Sequence, residues 1–231
     1  MKYFNLGSVR KGKNNEEKLL CLLDMMKKDD FLVLNGDILE LKQFKPDEVW
    51  DEYGVLLGGI FSRENTKYNM GNHDLKLLGK QFYGVTVQPY AIIEGILFLH
   101  GHQFDWLNNK SYWMVNWALQ ALRWMEEHIN PYIDIDLDRL LKYGKASDSD
   151  EKYIGYAVEE AKRCRVEYVA LGHTHRRKIA NRNGIYYCNS GCWVNGKSDY
   201  LEFTLDDERK IYCISDLHLG DKGKADDFWT I

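Results

Sequence analysis

Five short apolar stretches in this chain each run into residues of metal-ligand type. These are Asp37, Asn72 with His73, His100, His173 with His175, and Asp216 with His218. Within two of the sets the donors stand two residues apart. Residues so spaced in an extended strand point to one face, so each pair can aim two donors at one cation. Ligands at the carboxyl ends of neighbouring strands converge on one crevice, the usual place for a site on an α/β sheet. The Asp216–His218 pair comes almost at the end of the sequence, and its partners must lie earlier in the chain.

The elements that carry these residues emerge from pattern. Residues 1–13 are mixed, with Gly7, Ser8 and Gly12, and read as a loop. Asn14 to Glu17 caps a helix with Leu19, Leu22, Leu23 and Met26 at helical spacing, closed by Lys27 and Lys28. Phe31–Leu34 reads as a buried strand, residues 47–61 as a helix and 68–70 as a weaker strand. Ile92–Leu99 reads as a strand with a turn at Glu94-Gly95. A helical stretch is expected over 103–165. Its faces carry Trp113, Trp117 and Trp124, then Met114, Leu122 and Met125, and a second helix is expected from near Asp148. Tyr168–Leu171 reads as a buried strand. Asn183-Gly184 marks a hairpin between 178–180 and 185–188. Tyr200–Leu205 alternates like a half-exposed strand, and 206–209 turns it into the strand Lys210–Ser215.

Composition bounds the function. The chain has 231 residues, 45% hydrophobic and 29% charged, which suits a single domain, 1–231, with one elaboration. A net charge of -4 gives no basic surface for general nucleic-acid binding. No apolar run approaches the roughly 20 residues of a membrane span. The first residues lack a signal peptide's apolar core. Five scattered cysteines fit a reducing, cytoplasmic setting better than a disulfide framework. Cys188 and Cys192 lack the second pair that a structural zinc site needs.

Asp216-x-His218, Gly36-Asp37, Gly71-Asn72-His73-Asp74, His100 and Gly172-His173-x-His175 together resemble the five blocks of the calcineurin-like metallophosphoesterases. The resemblance implies an α/β (α+β) fold, a four-layer αββα sandwich of two mixed sheets. Residues 103–165 would be a helical cap insertion. The family's first block stands last here, and joining Ile231 to Met1 restores the usual order, so the resemblance implies a circular permutation. It further implies two divalent metal ions, with Mn²⁺ favoured and Fe²⁺ or Zn²⁺ as alternatives. Asp216, His218 and His175 would hold the first, Asn72, His100 and His173 the second, and Asp37 would bridge them. The implied reaction is in-line attack on phosphorus by a metal-bridging hydroxide. His73 would assist the leaving group, and Asp74 would orient His73. His102 and Asp105, and Arg176 and Arg177, are candidates for substrate contact.

The implied activity is hydrolysis of phosphoester or diphosphate bonds in a small molecule. The cap resembles that of UDP-2,3-diacylglucosamine pyrophosphohydrolases. A lipid-linked nucleotide sugar, with peripheral membrane contact, is therefore one candidate substrate. That lipid-pathway group often has Arg where this chain has His73. Two alternatives stand beside it: a phosphodiesterase on cyclic or short nucleotides, and a metal-free protein-binding scaffold on the same fold.

Overall fold

The computed structural model describes residues 2–6, 16–41, 44–104, 146–193, 198–204, 210–214 and 227–230. The expected cap lies mostly outside the described residues, as do Asp105, Asp216 and His218. The described strands form two sheets. The larger contains β1 (Lys2–Leu6), β2 (Phe31–Asn35), β3 (Thr66–Asn69), β4 (Gln81–Phe82), β5 (Val85–Gln88), β11 (Tyr200–Thr204), β12 (Lys210–Ile214) and β13 (Asp227–Thr230). Its order is β13-β12-β11-β1-β2-β3-β5-β4. The smaller contains β6 (Ala91–Ile93), β7 (Ile96–Phe98), β8 (Tyr168–Leu171), β9 (Lys178–Arg182) and β10 (Ile185–Asn189), in the order β6-β7-β8-β10-β9. Both sheets are mixed. β1, β2, β3 and β5 run parallel in one, and β7, β8 and β10 in the other.

Period-two burial explains the layers. On β2, Leu32 and Leu34 join the cluster under helices α1 (Glu16–Met25) and α2 (Pro46–Phe61), while Val33 joins the cluster between the sheets. On β8, Tyr168 and Ala170 face inward. Val169 and Leu171 instead meet Ile154, Ala157, Val158 and Ala161 of helix α3 (Ala146–Cys164). Strands apolar on both faces thus sit between a helix layer and the other sheet. The result is the four-layer αββα sandwich expected from sequence. Phe98 of β7 meets Phe203 of β11 edge-on across the middle layer, at 5.7 Å. No helix among the described residues is long and apolar enough to cross a membrane.

Several expectations need correction. Residues 2–6 form β1, in place of the expected loop: their backbone pairs with β2 on one side and β11 on the other. Tyr200–Phe203 is buried throughout instead of half-exposed, because β11 lies inside the sheet with the second sheet across one face. The turn expected at Glu94-Gly95 is present, both residues with positive φ, and it divides the stretch into the hairpin β6–β7. The strands β4, β5 and β13 carry no sequence pattern that singles them out.

The strand β12 does lie beside β11, as the short acidic turn implies. It does not lie beside β2, where a permuted first block would enter, because β1 holds that place. β1 and β12 flank β11 in the same register: Lys2 and Lys210 both pair with Thr204, and Asn5 and Cys213 both pair with Leu201. Both are antiparallel to β11, so β12 runs parallel to β2 and ends at the same edge of the sheet. Three strand spacings, about 14 Å, separate it from β2.

One buried polar ladder ties the two sheets together where the site lies. Asn35 and Asn69 end β2 and β3, pair in register, and are fully buried. The Asn35 amide donates to the carbonyls of Leu99 and Ala170 at 2.9 and 3.0 Å. The Asn69 amide donates to Asn35 Oδ1 and to the Phe98 carbonyl, both at 3.0 Å. Asn35→Ala should lower unfolding free energy by about 3 kcal/mol, because it leaves buried carbonyls without donors. Asn65→Ala, whose amide makes only a long, exposed bond, should cost little. Urea unfolding of the two variants checks this.

Candidate metal centre

Backbone strain marks the loops at the ends of the central strands. Asp37, His173 and His175 all adopt positive φ, at 57°, 31° and 56°. Non-glycine residues held there cost free energy and cluster at functional sites. Glycines make the close approaches feasible. A Cβ on Gly36 would stand 2.5 Å from the His100 ring, and one on Gly71 would overlap the Asp37 carboxylate.

These loops bring three of the expected ligands together. One ligand atom each from Asp37, His100 and His173 lies within 4.8 Å of the others, and all three residues are buried. His100 Nε2 is 3.1 Å from Asp37 Oδ2 and 3.3 Å from His173 Nδ1. His100 Nδ1 lies 2.8 Å from the Asn35 carbonyl. A carbonyl can only accept, so Nδ1 carries the proton and donates. In the neutral ring Nε2 is then a bare lone pair facing a carboxylate oxygen. Two such acceptors repel at that distance unless a cation stands between them. Asn72 Oδ1 is a further buried acceptor, with no hydrogen-bond partner among the described residues. Imidazoles, a carboxylate and an amide oxygen fit a divalent transition metal. These four are the residues expected from sequence to hold the second ion, the bridging Asp37 included.

The other expected residues divide. His175 is half-buried two residues beyond His173. The ring of His102 is buried, 5.6 Å from that of His100 and 6.4 Å from that of His173. Arg176 donates to Asp150 at the start of α3, at 3.1 Å, and Arg177 is exposed. Asp216 and His218 are outside the described residues.

His73 borders the cluster. Its Nε2 is 3.8 Å from Asp37 Oδ2, and its backbone N–H donates to Asp37 Oδ1 at 2.9 Å. The partner of its Nδ1 is Glu40 Oε1, at 2.7 Å and buried. Asp74, expected to orient His73, makes other bonds. Its carboxylate accepts from the backbone N–H groups of Ile38 and Gly71 and from the Tyr68 hydroxyl. It therefore clamps the Asp37 loop to the Asn72 loop. Burial, then the Asp37 charge, pushes the Asp74 carboxyl up to about 6. Burial beside Asp74 likewise raises the Tyr68 hydroxyl well above its ordinary range. Glu40, Tyr68 and the two asparagines are absent from the residues expected from sequence. Glu40 had a signal, three residues after Asp37 and at the end of an apolar run. Asn35 and Asn69 had one too, as amides closing buried strands.

Comparison with known proteins agrees with this geometry. The profile described as calcineurin-like phosphoesterase matches residues 12–177. No curated protein matches the sequence. Among solved structures, Vacuolar Protein Sorting 29 from Cryptosporidium parvum is similar at 14% identity and TM-score 0.56, covering 100% of this chain and 97% of that one. GAP50, titled the anchor in the inner membrane complex of Plasmodium, is similar at 13% identity and TM-score 0.55, covering 100% and 88%. YfcE, a phosphoesterase from E. coli, is similar at 14% identity and TM-score 0.50, covering 100% of both chains. At such identities these likenesses show the fold.

Gly71→Ala should weaken divalent-metal binding by more than about tenfold, because the added methyl displaces Asp37. Gly59→Ala, on an open face of α2, should keep full affinity. Metal titration followed by calorimetry distinguishes the two.

Proposed function

This chain belongs to the calcineurin-like phosphoesterase family, and from that premise we propose that it hydrolyses phosphoester or diphosphate bonds of a small molecule. The observation that carries the reading is the buried convergence of Asp37, His100 and His173 beside His73. Asn72, His100 and His173 would hold one divalent ion and Asp216, His218 and His175 a second, with Asp37 shared. Manganese is favoured, with iron or zinc as alternatives. Bound there, such ions supply positive charge for phosphoryl oxygens and acidify water. For the dinuclear reading β12 offers direction alone: it runs parallel to β2 and ends at the same sheet edge, three strand positions away.

The protein's own groups supply the proton. Glu40 accepts from His73 Nδ1–H and fixes the ring. Protonated at Nε2 as well, His73 would give that proton to the departing oxygen as the bond to phosphorus breaks. Asp74 acts at one remove, by holding the two ligand loops in register. Arg176 and Arg177, one and two residues beyond His175, would meet further phosphoryl oxygens, Arg176 by leaving Asp150, and His102 is a further candidate for substrate contact. Candidate substrates are a nucleotide-sugar lipid such as UDP-2,3-diacylglucosamine, or, for a phosphodiesterase, a cyclic or short nucleotide.

A second reading, a protein-binding scaffold, has one observation in its favour: β1 stands beside β2 where the Asp216–His218 strand would complete the centre. A manganese-supplemented screen of phosphomonoesters, diesters and nucleotide diphosphates separates the two. Turnover supports the enzyme, and silence across the screen with no metal bound supports the metal-free scaffold. His73→Ala should keep its metal and lose about 10²–10⁴ in kcat. Glu40→Gln should keep the metal and lower kcat, because His73 Nδ1 loses its charged acceptor. Asp216→Ala should reduce bound manganese from two ions per chain to one, by elemental analysis; an unchanged content removes Asp216 from the ligand set.

A further inference from the structure

The end of β10 braces the loop that carries His173 and His175. Asn189 pairs in register with Leu171, the last residue of β8, and is fully buried. Its amide nitrogen faces three acceptors: the Gly172 carbonyl at 2.7 Å, Thr174 Oγ1 at 3.1 Å and the Tyr187 hydroxyl at 3.3 Å. Its Oδ1 accepts from the Gly191 N–H at 3.0 Å. A carbonyl only accepts and a backbone N–H only donates, so the orientation of the amide is fixed. Two of the three acceptors belong to the residues on either side of His173. Ser190 adds two bonds, from its N–H and its hydroxyl, to the Leu171 carbonyl at 3.0 and 3.3 Å. The loop held in this way is a strained one, because His173 and His175 both have positive φ.

We propose that Asn189 is a positioning residue for the metal centre, its amide holding the Gly172–His175 loop in the strained conformation that presents His173 and His175 as ligands. The inference rests on the metal centre of the phosphoesterase reading and adds a residue outside its ligand set. Strained backbone persists only where its surroundings over-determine it. Released at Gly172 and Thr174, the loop relaxes, and only a fraction of molecules keep His173 poised beside His100 and Asp37. The apparent dissociation constant then rises by the inverse of that fraction. Thr174 stands between the two histidines, so one amide governs both. A merely structural amide behaves differently. Its loss destabilises the metal-free and metal-bound folds equally, which leaves the affinity unchanged.

Calorimetric titration of the full chain with Mn²⁺, and separately with Zn²⁺, tests this. Asn189→Leu has a similar volume and neither donor nor acceptor. It should raise the apparent Kd about tenfold, the equivalent of the strain held at one such residue. Thr174→Val removes one of the two loop acceptors at nearly the same shape and should raise Kd by a smaller factor. Leu22→Ala truncates a fully buried position of α1, in the cluster on the far side of the larger sheet. It should lower Tm and leave Kd unchanged. An Asn189→Leu protein that binds as tightly as the unsubstituted one, or an equal loss of affinity in Leu22→Ala, overturns the positioning role and leaves the phosphoesterase reading standing. If Asn189→Leu does not fold, an unchanged Kd in Thr174→Val overturns it in the same way. Unsubstituted protein that binds neither metal overturns the positioning role and the metal centre together. The readout is affinity and not turnover, which separates this inference from the phosphoesterase reading.

Discussion

The contact between Asn35 and Asn69 is the constraint on which the site depends. Apolar packing between two sheets is non-directional and tolerates sliding. Hydrogen bonds from a buried amide do not, because a shifted carbonyl would be left unsatisfied at full desolvation cost. Asn35 reaches Leu99 and Ala170, and Asn69 reaches Phe98. These partners lie at the ends of β7 and β8, immediately before His100 and the His173 loop. The ladder thus fixes the second sheet's ligands against the first sheet's Asp37. The backbone carbonyl of the same Asn35 accepts from His100 Nδ1 and sets which nitrogen faces the centre.

Around that fixed frame the loops store strain. Three residues with side chains occupy the left-handed region, and two glycines admit neighbours that any Cβ would exclude. Asp74 and Tyr68 hold the Asp37 and Asn72 loops to each other from beneath. The cost of burying these carboxylates and imidazoles together is of the kind a bound cation offsets, since each lone pair then has positive charge to face.

The equivalence of β1 and β12 around β11 bears on how the chain is ordered. Residues Lys2–Asn5 and Lys210–Cys213 meet the same four β11 residues from opposite sides. Backbone pairing therefore does not distinguish them, and side-chain pattern distinguishes them little. The residues beyond each strand do distinguish them: Gly7 and Ser8 after one, Asp216 and His218 after the other. The first segment reads as a loop because its short apolar stretch gives way at once to Gly7, Ser8, Gly12 and basic residues. The sheet instead recruits it through backbone bonds, to which that composition is indifferent.

The sequence by itself determined which strands are covered on both faces and which residues are candidate ligands. A strand apolar on both faces can only sit between two layers, and a helix with one apolar stripe can only cover one. Phe31–Leu34, Tyr168–Leu171 and the α2 pattern therefore imply covered strands and a covering helix, while the sandwich itself was implied by the resemblance that the ligand motifs carry. Asp37, Asn72, His100 and His173 were legible because ligand chemistry restricts residue type and strand ends restrict position. Tertiary structure alone decided the rest. It put Glu40 and not Asp74 on His73, set Asn35 and Asn69 across the sheets, placed β1 beside β2, and brought Asn189 to the His173 loop. Each depends on which segments distant in sequence meet, and that is set by packing across the whole core. Local pattern does not encode it.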